Sequence, residues 1–276
     1  MKINFNHIIM ILGGDLRQKY VFQKLNTLKY TIFSNGVIDV PDTDFHMIAP
    51  VVDTYLLPIP FSKDHNYIYG ENCQISIQDF IDTIHPKSTI IGGGFTPDFI
   101  EMCSKKQLIL YDILKSDSFS KFNSVATAEA AISIAIKQSP YTLSHSRSIV
   151  LGYGKCGKEI ADLTKKLGSE TTICERKAEK SAKILANDFR YTDFVKLPDM
   201  IGKFEFIFNT VPSMVLNQDV IKNISKNAVI IDIASKPGGT DFEYCKAEGI
   251  DANLYLALPG KYSPASSADA ILSCII

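Results

Sequence analysis

The stretch Ser148-Ile149-Val150-Leu151-Gly152-Tyr153-Gly154-Lys155-Cys156-Gly157 decides the fold of this chain. A short β-branched run leads into three glycines spaced G-x-G-x-x-G. A helix-length amphipathic stretch over 155–167 follows, with Gly168 where a helix C-terminal glycine belongs. Strand, glycine turn and helix in this order form the first βα turn of a Rossmann domain. The glycine pattern alone is weak evidence, but its position between a strand and a helix makes it strong.

The three glycines predict a dinucleotide site. Gly152 permits the tight turn, Gly154 lets the backbone approach a pyrophosphate, and Gly157 allows the helix to pack closely on the strand. Lys155 and Cys156 open the helix, where backbone N–H groups and the helix dipole favour phosphate. A glycine turn that binds nothing is the structural alternative.

The triplet Glu175-Arg176-Lys177 leaves the cofactor's 2′ group open. Glu175 follows the second strand of the βαβ unit, where a carboxylate accepts two ribose hydroxyls and repels a 2′-phosphate, which favours NAD. If Glu175 turns aside, Arg176 and Lys177 clamp that phosphate and favour NADP. A solvated helix start is the structural alternative for the two cations. The expected cofactor is therefore NADP or NAD.

Short apolar runs alternate with helix-length amphipathic stretches along the whole chain, which predicts an α/β protein with two Rossmann-like, doubly wound domains of parallel sheets flanked by helices. We expect an N-terminal Rossmann or flavodoxin-like substrate domain over 1–122. A dinucleotide-binding Rossmann domain follows over 123–276, with a linker helix at 123–138. Strands are predicted at 7–12, 30–34, 45–48, 54–57, 89–92, 107–111, 148–151, 171–174, 205–208, 228–233 and 252–255. Helices are predicted at 15–28, 77–84, 97–104, 123–138, 155–167, 178–186, 241–248 and 267–275, and a loop at 58–73.

Composition excludes several classes of protein. The 276 residues include 29 basic and 30 acidic side chains, for a formal net charge of -1. The sequence has no basic stripe of the kind that would indicate nucleic-acid binding. Six dispersed cysteines and few histidines form no metal-ligand spacing, so no metal is expected. The N-terminal residues lack a signal-peptide pattern, and no apolar run approaches the ~20 residues of a membrane span. We expect a cytoplasmic protein that binds neither nucleic acid nor membrane.

Several further segments complete a pattern that runs through almost the whole chain. They are GGDLRQ at 13–18, NS at 123–124 with TAE at 127–129, NTVPS at 209–213, IDIASKPGGTDF at 231–242, and LPG at 258–260. Together with the glycine turn they resemble the dipicolinate synthase A-subunit family of spore-forming bacteria. The segment at 231–242 is far more specific than the glycine pattern.

This resemblance implies a function as well as a fold. It implies a partner, the dipicolinate synthase B-subunit, which resembles flavoproteins. It also implies that the pair makes dipicolinate from a dihydrodipicolinate-type intermediate of the lysine pathway, in the mother cell during sporulation. The net chemistry is oxidation to an aromatic ring, with a nicotinamide cofactor accepting hydride. A small dicarboxylate substrate and a homo-oligomeric assembly are expected.

The sequence departs from the family pattern at three positions. Ala126 stands where the family usually has Pro, which matters little. Glu175 replaces a small residue and weakens any inference of NADP preference from the family. Ala265 replaces a lysine, so a role for that lysine does not carry over. Relatives usually continue beyond the position of Ile276, and whether the C-terminus is shortened stays open.

The remaining cofactor candidates follow the later strands of the second domain, because ligands of open α/β sheets bind beyond the carboxyl ends of strands. They are Thr210, Val211, Pro212, Asp232, Ala234 and Ser235. Thr210 and Pro212 are expected to line the nicotinamide ribose, with a plain strand-to-helix turn as the alternative.

The loop after Asp232 supplies the second domain's substrate candidates, Lys236, Gly238 and Gly239. Lys236 offers the cation that a dicarboxylate requires, and it is also a catalytic candidate. Gly238 and Gly239 are expected to add flexibility beside the nicotinamide. The alternative is that the glycines only turn the chain and that Thr240 caps the next helix.

In the first domain, Gly13-Gly14-Asp15 follows a strand and opens a helix but lacks the third glycine of a dinucleotide site. The substrate candidates here are Gly14, Asp15, Arg17 and Gln18. Arg17 carries a guanidinium group, which binds carboxylates bidentately. Asp15 is either a catalytic group or a helix N-cap, and both interpretations stay open.

Glu129 is the third catalytic candidate, after Lys236 and Asp15, because it lies in an otherwise apolar helix where an unpaired buried carboxylate is costly. An acid/base role and a structural ion pair are both open. The resulting hypothesis is a clamp in which the two domains close on the substrate. Arg17 then grips one carboxylate and Lys236 the other.

Two other functions compete with this one. The glycine turn and Glu175 also suit a 2-hydroxyacid-dehydrogenase-like or adenosylhomocysteinase-like NAD enzyme. Those families require a histidine paired with an acid, or a catalytic Lys and Asp set, and neither is found here. The third possibility is a non-catalytic, dinucleotide-binding regulatory subunit.

Overall fold

The computed structural model describes residues 2–276, which form two compact units. Residues 2–123 and 260–276 make up the first unit, and residues 124–259 make up the second. Each unit has its own parallel sheet and its own buried apolar clusters. The predicted fold class, with two parallel-sheet α/β domains flanked by helices, is confirmed.

Five parallel strands form the sheet of the first unit. They are β1 (Ile8–Leu12), β2 (Thr31–Asn35), β3 (Thr54–Leu56), β4 (Thr89–Gly92) and β5 (Ile109–Asp112). Their order is β2-β1-β3-β4-β5, which is the flavodoxin-like doubly wound order. Strands β3 and β4 are buried along their whole length, as expected for strands covered on both faces.

The first half of the described chain contains five α-helices, and the first four begin at side-chain caps. They are α1 (Leu16–Thr27), α2 (Phe45–Ile48), α3 (Ile77–Thr83), α4 (Pro97–Lys105) and α5 (Asp117–Gln138). Asp15, Ser76 and Thr96 each accept a hydrogen bond from a backbone N–H in the first turn of α1, α3 and α4 respectively.

Two predictions in this half are wrong. The segment 45–48 is the short helix α2, not a strand, because Asp44 caps it through the Met47 N–H and the Phe45 ring packs on Phe80. A four-residue apolar run has too little periodicity to distinguish the two structures. Helix α5 begins at Asp117, six residues before the predicted start of the linker helix at 123.

Six parallel strands form the sheet of the second unit. They are β6 (Arg147–Leu151), β7 (Glu170–Cys174), β8 (Arg190–Thr192), β9 (Phe206–Asn209), β10 (Val229–Asp232) and β11 (Asp251–Leu254). Their order is β11-β10-β9-β6-β7-β8, the dinucleotide-binding Rossmann order, and it reverses direction between β6 and β9. The sequence pattern does not predict strand β8.

Seven more α-helices follow α5 within the described residues. They are α6 (Lys155–Lys166), α7 (Ser181–Ala186), α8 (Leu197–Met200), α9 (Gln218–Ile221), α10 (Phe242–Ala247), α11 (Leu258–Tyr262) and α12 (Pro264–Ser273). Gly168 follows α6 with a φ of +86°, so it occupies the left-handed position that its predicted role requires. The sequence pattern does not predict helices α8, α9 and α11.

The C-terminal segment differs from the predicted domain division. The sequence places residues 260–276 in the dinucleotide-binding domain, whereas in the structure they belong to the first unit. Ala268, Ile271 and Leu272 of α12 share an apolar cluster with Val21 and Leu25 of α1. An apolar helix face shows from sequence that the helix is buried, but not which sheet it covers.

Within residues 2–276, no helix combines the length and the apolar character that crossing a membrane requires. The same residues contain no group of three or more His, Cys, Asp and Glu side chains arranged to hold a metal ion.

Candidate functional site

The carboxyl edge of the second sheet gathers most of the predicted cofactor residues. Leu151 ends β6, and its carbonyl oxygen accepts the Thr210 N–H (3.0 Å) after β9. The Gly152 N–H donates to the Cys174 carbonyl at the end of β7 (2.8 Å). These bonds hold the glycine turn at the point where strand order reverses, which is where open α/β sheets bind their ligands.

Only glycine fits at position 152, because of its backbone conformation and because its neighbours leave no space for a side chain. Its φ is +92°, and a Cβ atom there would lie 2.6 Å from Thr210 Oγ1 and 2.9 Å from Val211 Cγ2. The Thr210 hydroxyl also donates to the Leu151 carbonyl (2.9 Å). The structure therefore brings Thr210 and Val211 directly against the glycine turn, while Pro212 is exposed beside them.

Gly154 and Gly157 meet different surroundings. A Cβ atom at Gly157 would lie 2.2 Å from the Gly152 carbonyl oxygen, so glycine there lets α6 pack against the turn. A Cβ atom at Gly154 would have nothing within 4 Å, and Gly154 is the N-cap of α6 without a side-chain acceptor. The first N–H groups of α6 thus face an open side that a pyrophosphate can fill.

The side chains that open α6 differ in exposure. Lys155 is exposed and Cys156 is half-buried. Burial, and then the charge of Glu159, raise the pKa of the Cys156 thiol. A thiol with a raised pKa stays protonated near neutral pH, which disfavours a nucleophilic role for Cys156.

Glu175 is turned toward the glycine turn and forms an ion pair with Lys180. It is 7% exposed, and its Oε2 accepts the Tyr153 N–H (3.1 Å) and the Lys180 ammonium (2.8 Å). Its Oε1 accepts the Lys177 N–H (3.1 Å). Burial alone would raise the pKa of Glu175, but the hydrogen bonds from Lys180, Lys177 and Tyr153 outweigh burial and lower it. Glu175 is therefore an ionised, paired carboxylate.

Arg176 and Lys177 are exposed beside this paired carboxylate. Because the charge of Glu175 is offset by Lys180, the two exposed cations leave the local charge positive. Glu175 is turned toward the glycine turn and not aside, while two cations lie exposed next to it. The arrangement therefore leaves the choice between NAD and NADP a prediction.

Asp232 has a different role from the predicted one. Its side chain is fully buried and accepts four hydrogen bonds, so it has no surface to offer a cofactor. The donors are Asn209 Nδ2 (2.9 Å), Ala234 N (2.9 Å), Gly239 N (2.9 Å) and Thr240 Oγ1 (2.7 Å). Asp232 therefore shapes the loop over 233–240 through the Ala234 and Gly239 N–H groups, and a cofactor contact of Asp232 or Ala234 stays a prediction.

The glycines of that loop are packed and not flexible. A Cβ atom at Gly239 would lie 2.3 Å from the Val211 carbonyl oxygen, and Gly238 has a φ of +91°. Both are buried, so the expected flexibility is not found, and their role in binding substrate stays a prediction. Thr240 bonds Asp232, and Asp241 caps α10. Ser235 and Lys236 are exposed members of the same loop, held out by this framework.

In the first unit, Asp15 is the N-cap of α1 and the partner of Arg17. Its Oδ1 accepts the Arg17 N–H (3.0 Å) and Arg17 Nε (2.8 Å), and its Oδ2 accepts Arg17 Nη2 (2.7 Å). Burial would raise the pKa of Asp15, but hydrogen bonds and charge from Arg17 outweigh burial and lower it. Asp15 is ionised and carries no proton to donate near neutral pH.

Arg17 is an internal residue. It is 5% exposed, and Nη2 also donates to the Ile59 carbonyl oxygen (2.5 Å). A Cβ atom at Gly260 would lie 2.7 Å from Asp15 Oδ2 and 2.9 Å from Arg17 Nε. The ion pair thus fits closely against Gly260, which belongs to the same unit. The clamp hypothesis required a cation open to substrate, and Arg17 in this structure is buried and paired.

The other two substrate candidates of the first unit are also enclosed. The Gly14 N–H donates to the Tyr69 carbonyl oxygen (2.6 Å), and Gly14 is buried. Gln18 is 3% exposed beneath Gly14, and within residues 2–276 its Oε1 has no hydrogen-bond partner. Neither residue is exposed to a ligand from solvent.

Glu129 is exposed on α5, between the buried Ala128 and Ala130. The prediction that it is a buried carboxylate is wrong, because its position faces away from the apolar cluster that its neighbours enter. The argument from burial cost, which singled it out as a catalytic candidate, no longer applies.

Comparison with known proteins finds a separate family match in each half of the chain. Residues 8–114 match the family model of the N-terminal domain of the dipicolinate synthase A-subunit. Residues 123–236 match the NAD binding domain of D-isomer specific 2-hydroxyacid dehydrogenases. The chain is 28% identical to the dipicolinate synthase A-subunit from Bacillus subtilis (strain 168), over 97% of this chain and 94% of that protein.

Two solved structures are similar over almost their full length. The crystal structure of the dipicolinate synthase A-subunit from Bacillus halodurans has a TM-score of 0.84 at 25% identity, covering 98% of this chain and 96% of that one. The corresponding dipicolinate synthase structure from Bacillus subtilis has a TM-score of 0.85 at 25% identity, covering 99% and 95%.

Fold, glycine turn and family matches define a two-domain α/β protein with an NAD(P)-binding domain of the D-2-hydroxyacid dehydrogenase type, a domain that supports an oxidoreductase. Within that class, the chain resembles the dipicolinate synthase A-subunit over nearly its whole length, as the sequence motifs indicate.

Sequence reasoning missed three residues that organise these sites. Lys180 pairs with Glu175, Asn209 links Val211 to Asp232, and Lys63 lies near Asp15 at the ligand edge of the first sheet. A buried Asn as the last residue of an apolar strand was a detectable signal in the NTVPS segment. Lys180 and Lys63 come close to their partners only in the folded chain, so the sequence alone could not predict these contacts.

Proposed function

We propose that this chain is the dinucleotide-binding subunit of a dipicolinate synthase. In this role it oxidises a dihydrodipicolinate-type intermediate of the lysine pathway to dipicolinate during sporulation, together with a flavoprotein-like B-subunit. The observation that carries the proposal is the resemblance of both units to the dipicolinate synthase A-subunit, combined with the NAD(P)-binding domain. A dicarboxylate substrate is part of the same proposal.

The residues present fit a nicotinamide dinucleotide, which supplies the hydride acceptor for the oxidation when it is bound. The open side of Gly154 and the N–H groups of α6 would hold the pyrophosphate. Arg176 and Lys177 would hold the adenosine ribose or its phosphate. Thr210 and Val211, packed on Gly152, would line the path toward the nicotinamide.

Lys236 is the residue of the second unit that we propose for the substrate. It is exposed on a loop that Asp232 holds through the Ala234 and Gly239 N–H groups, so its backbone position is fixed without a ligand. An ammonium group placed in this way can bind and orient one carboxylate. Ser235 is its exposed neighbour and a further polar contact.

A 2-hydroxyacid dehydrogenase activity is less well supported, although the NAD-binding family model bears that name. His145 is the only histidine in residues 124–259, and it precedes β6 at the amino end of the strand. The backbone N–H of His145 donates to the Gly168 carbonyl oxygen (2.9 Å). The ligand edge of the second sheet, within residues 124–259, therefore has no histidine to act as the acid/base of such an enzyme.

The proposal is tested by turnover. We expect the chain with its B-subunit to reduce NADP or NAD when dihydrodipicolinate is generated in the assay, with dipicolinate as the product. Lys236→Ala should raise KM roughly ten- to a hundredfold, since loss of a charged hydrogen-bond partner costs ~1.5–3 kcal/mol. Absence of dinucleotide-dependent dipicolinate formation by the pair would refute the function. Turnover by the isolated chain would exclude a purely regulatory role.

Cofactor choice is expected to depend on Arg176 and Lys177. Replacing both with Ala should weaken NADP binding more than NAD binding, because only NADP brings a phosphate to exposed cations. Fluorescence titration with both cofactors measures the difference. Lys183→Ala, which removes an exposed lysine from the neighbouring helix α7, is the matched control and should change neither affinity. Equal losses for both cofactors would mean that Arg176 and Lys177 only solvate the helix start.

A further inference from the structure

The loop over residues 57–76, which joins β3 to α3, lies on the carboxyl ends of the first sheet. Tyr69 accepts the Gly14 N–H through its carbonyl oxygen, and Gly70 pairs with Gly14 in a parallel bridge. A Cβ atom at Gly36, just after β2, would lie 2.6 Å from Cys73 Cα. Glycines at the strand ends therefore let this loop sit directly on the edge where an α/β sheet binds ligands.

Contacts within the loop and with the core support its conformation. Phe61 and Ile68 are buried in the apolar cluster of the first unit. Asp64 accepts the N–H groups of Asn66 and Tyr67 (both 2.9 Å) through Oδ1. A loop supported in this way needs less ordering when a ligand binds.

A cavity of about 460 Å³ opens within this loop. Lys63, Tyr67, Tyr69, Gly70, Cys73 and Gln74 contribute to its lining. Volumes of this size are typical of small-molecule sites. The lining combines aromatic rings, one thiol, the ammonium group of Lys63 and the carboxylate of Asp64, whose Oδ1 is already bonded to backbone N–H groups. The rings and the ammonium group suit a ligand that has both a ring and a negative charge.

Lys63 supplies the positive charge. Its Nζ lies 3.4 Å from the centre of the Tyr69 ring, and within residues 2–276 no carboxylate lies close enough to form an ion pair with it. The neighbouring acid, Asp64, already accepts backbone N–H groups. Arg17, another cation near this edge, is buried and paired with Asp15. Lys63 is thus exposed, held over an aromatic ring, and open to an anion.

We propose that this cavity is a carboxylate-binding subsite for a small planar ring acid, with one carboxylate on Lys63 Nζ and the ring against the tyrosine side chains. This inference rests on the proposed function, since it makes the cavity part of the substrate site for a pyridine-type dicarboxylate. Lys63 then has the role in the first unit that the sequence suggests for Arg17.

The test is a calorimetric titration of the full chain, saturated with NADP, with pyridine-2,6-dicarboxylate. We expect Lys63→Met to weaken binding roughly ten- to a hundredfold, as for other charged hydrogen-bond partners, and Lys63→Arg to retain most of it. Lys87→Met is the matched control, because Lys87 is exposed just before β4, at the opposite edge of the same sheet. It should bind like the wild type.

The possible outcomes distinguish failure of the proposed subsite from failure of the proposed reaction. Wild-type affinity in Lys63→Met, or no binding by the wild type, would overturn the subsite. The subsite alone also fails if the pair makes dipicolinate and Lys63→Met leaves KM unchanged. If the pair makes no dipicolinate but the wild type binds the dicarboxylate through Lys63, the subsite stands and the proposed reaction fails. An unchanged melting temperature confirms that Lys63→Met is folded.

Discussion

Gly154→Val is expected to weaken dinucleotide binding about a hundredfold or more while leaving the chain folded. The backbone at Gly154 has a φ of -82°, which valine adopts readily, and a Cβ atom there would meet nothing within 4 Å. The valine side chain would instead occupy the open side of the turn, where the pyrophosphate must approach the N–H groups of α6. Each lost contact to a charged phosphate costs ~1.5–3 kcal/mol, and more than one would be lost.

Two further glycine variants make this experiment specific. Gly154→Ala adds one methyl group and should give an intermediate loss. Gly157→Ala places a Cβ atom 2.2 Å from the Gly152 carbonyl oxygen, so it should reduce both binding and stability. Affinity is measured by fluorescence titration with NAD and NADP, and folding by circular dichroism. Full affinity in a folded Gly154→Val would place the dinucleotide elsewhere.

The glycine turn could be predicted because its constraints are local. A positive φ at Gly152 and the close approach at Gly157 act within one strand-turn-helix unit, and both leave a mark on the sequence. The same is true of Asp15 as N-cap and of Gly168 after α6. Where steric limits act over a few residues, sequence spacing is enough to deduce the structure.

Side-chain direction could not be predicted in the same way. Asp232 ends β10 at the ligand edge, as expected, yet its carboxylate points inward and bonds Asn209 and Thr240. Glu129 lies in an apolar helix, yet it is on the exposed face. A strand end identifies an edge of the sheet, whereas four hydrogen-bond donors around one carboxylate arise only from tertiary packing.

The charges of the candidate sites illustrate the same limit. Glu175 follows β7 as the sequence predicts, but its pairing with Lys180 depends on how the turn before α7 folds back. The cofactor preference therefore depends on a contact that the triplet Glu175-Arg176-Lys177 does not reveal. In the first unit, Arg17 is the cation that the sequence singles out for the substrate, but it is bonded to groups inside the unit. Lys63, from a loop distant in sequence, is exposed and lies over the Tyr69 ring.

Whether Arg17 supports the fold or binds substrate can be decided by stability. Removing one member of a largely buried ion pair costs about 3–5 kcal/mol, because the partner is left without compensation. Arg17→Met should therefore lower the free energy of unfolding by about 3 kcal/mol, since Asp15 loses its bidentate donor and Ile59 loses a bond to its carbonyl oxygen. Urea denaturation at neutral pH measures the change.

The double variant Asp15→Asn with Arg17→Met distinguishes the two roles, because it removes both charges and leaves no orphan carboxylate. It should recover part of the stability that Arg17→Met loses. Because the pKa of Asp15 is lowered in the folded chain, the pair stabilises the fold above the ordinary pKa of 3.8. That contribution disappears as the pH falls through the folded value, so the wild type and Arg17→Met should converge in acid. If Arg17→Met keeps wild-type stability and loses only dicarboxylate affinity, Arg17 is a substrate ligand after all.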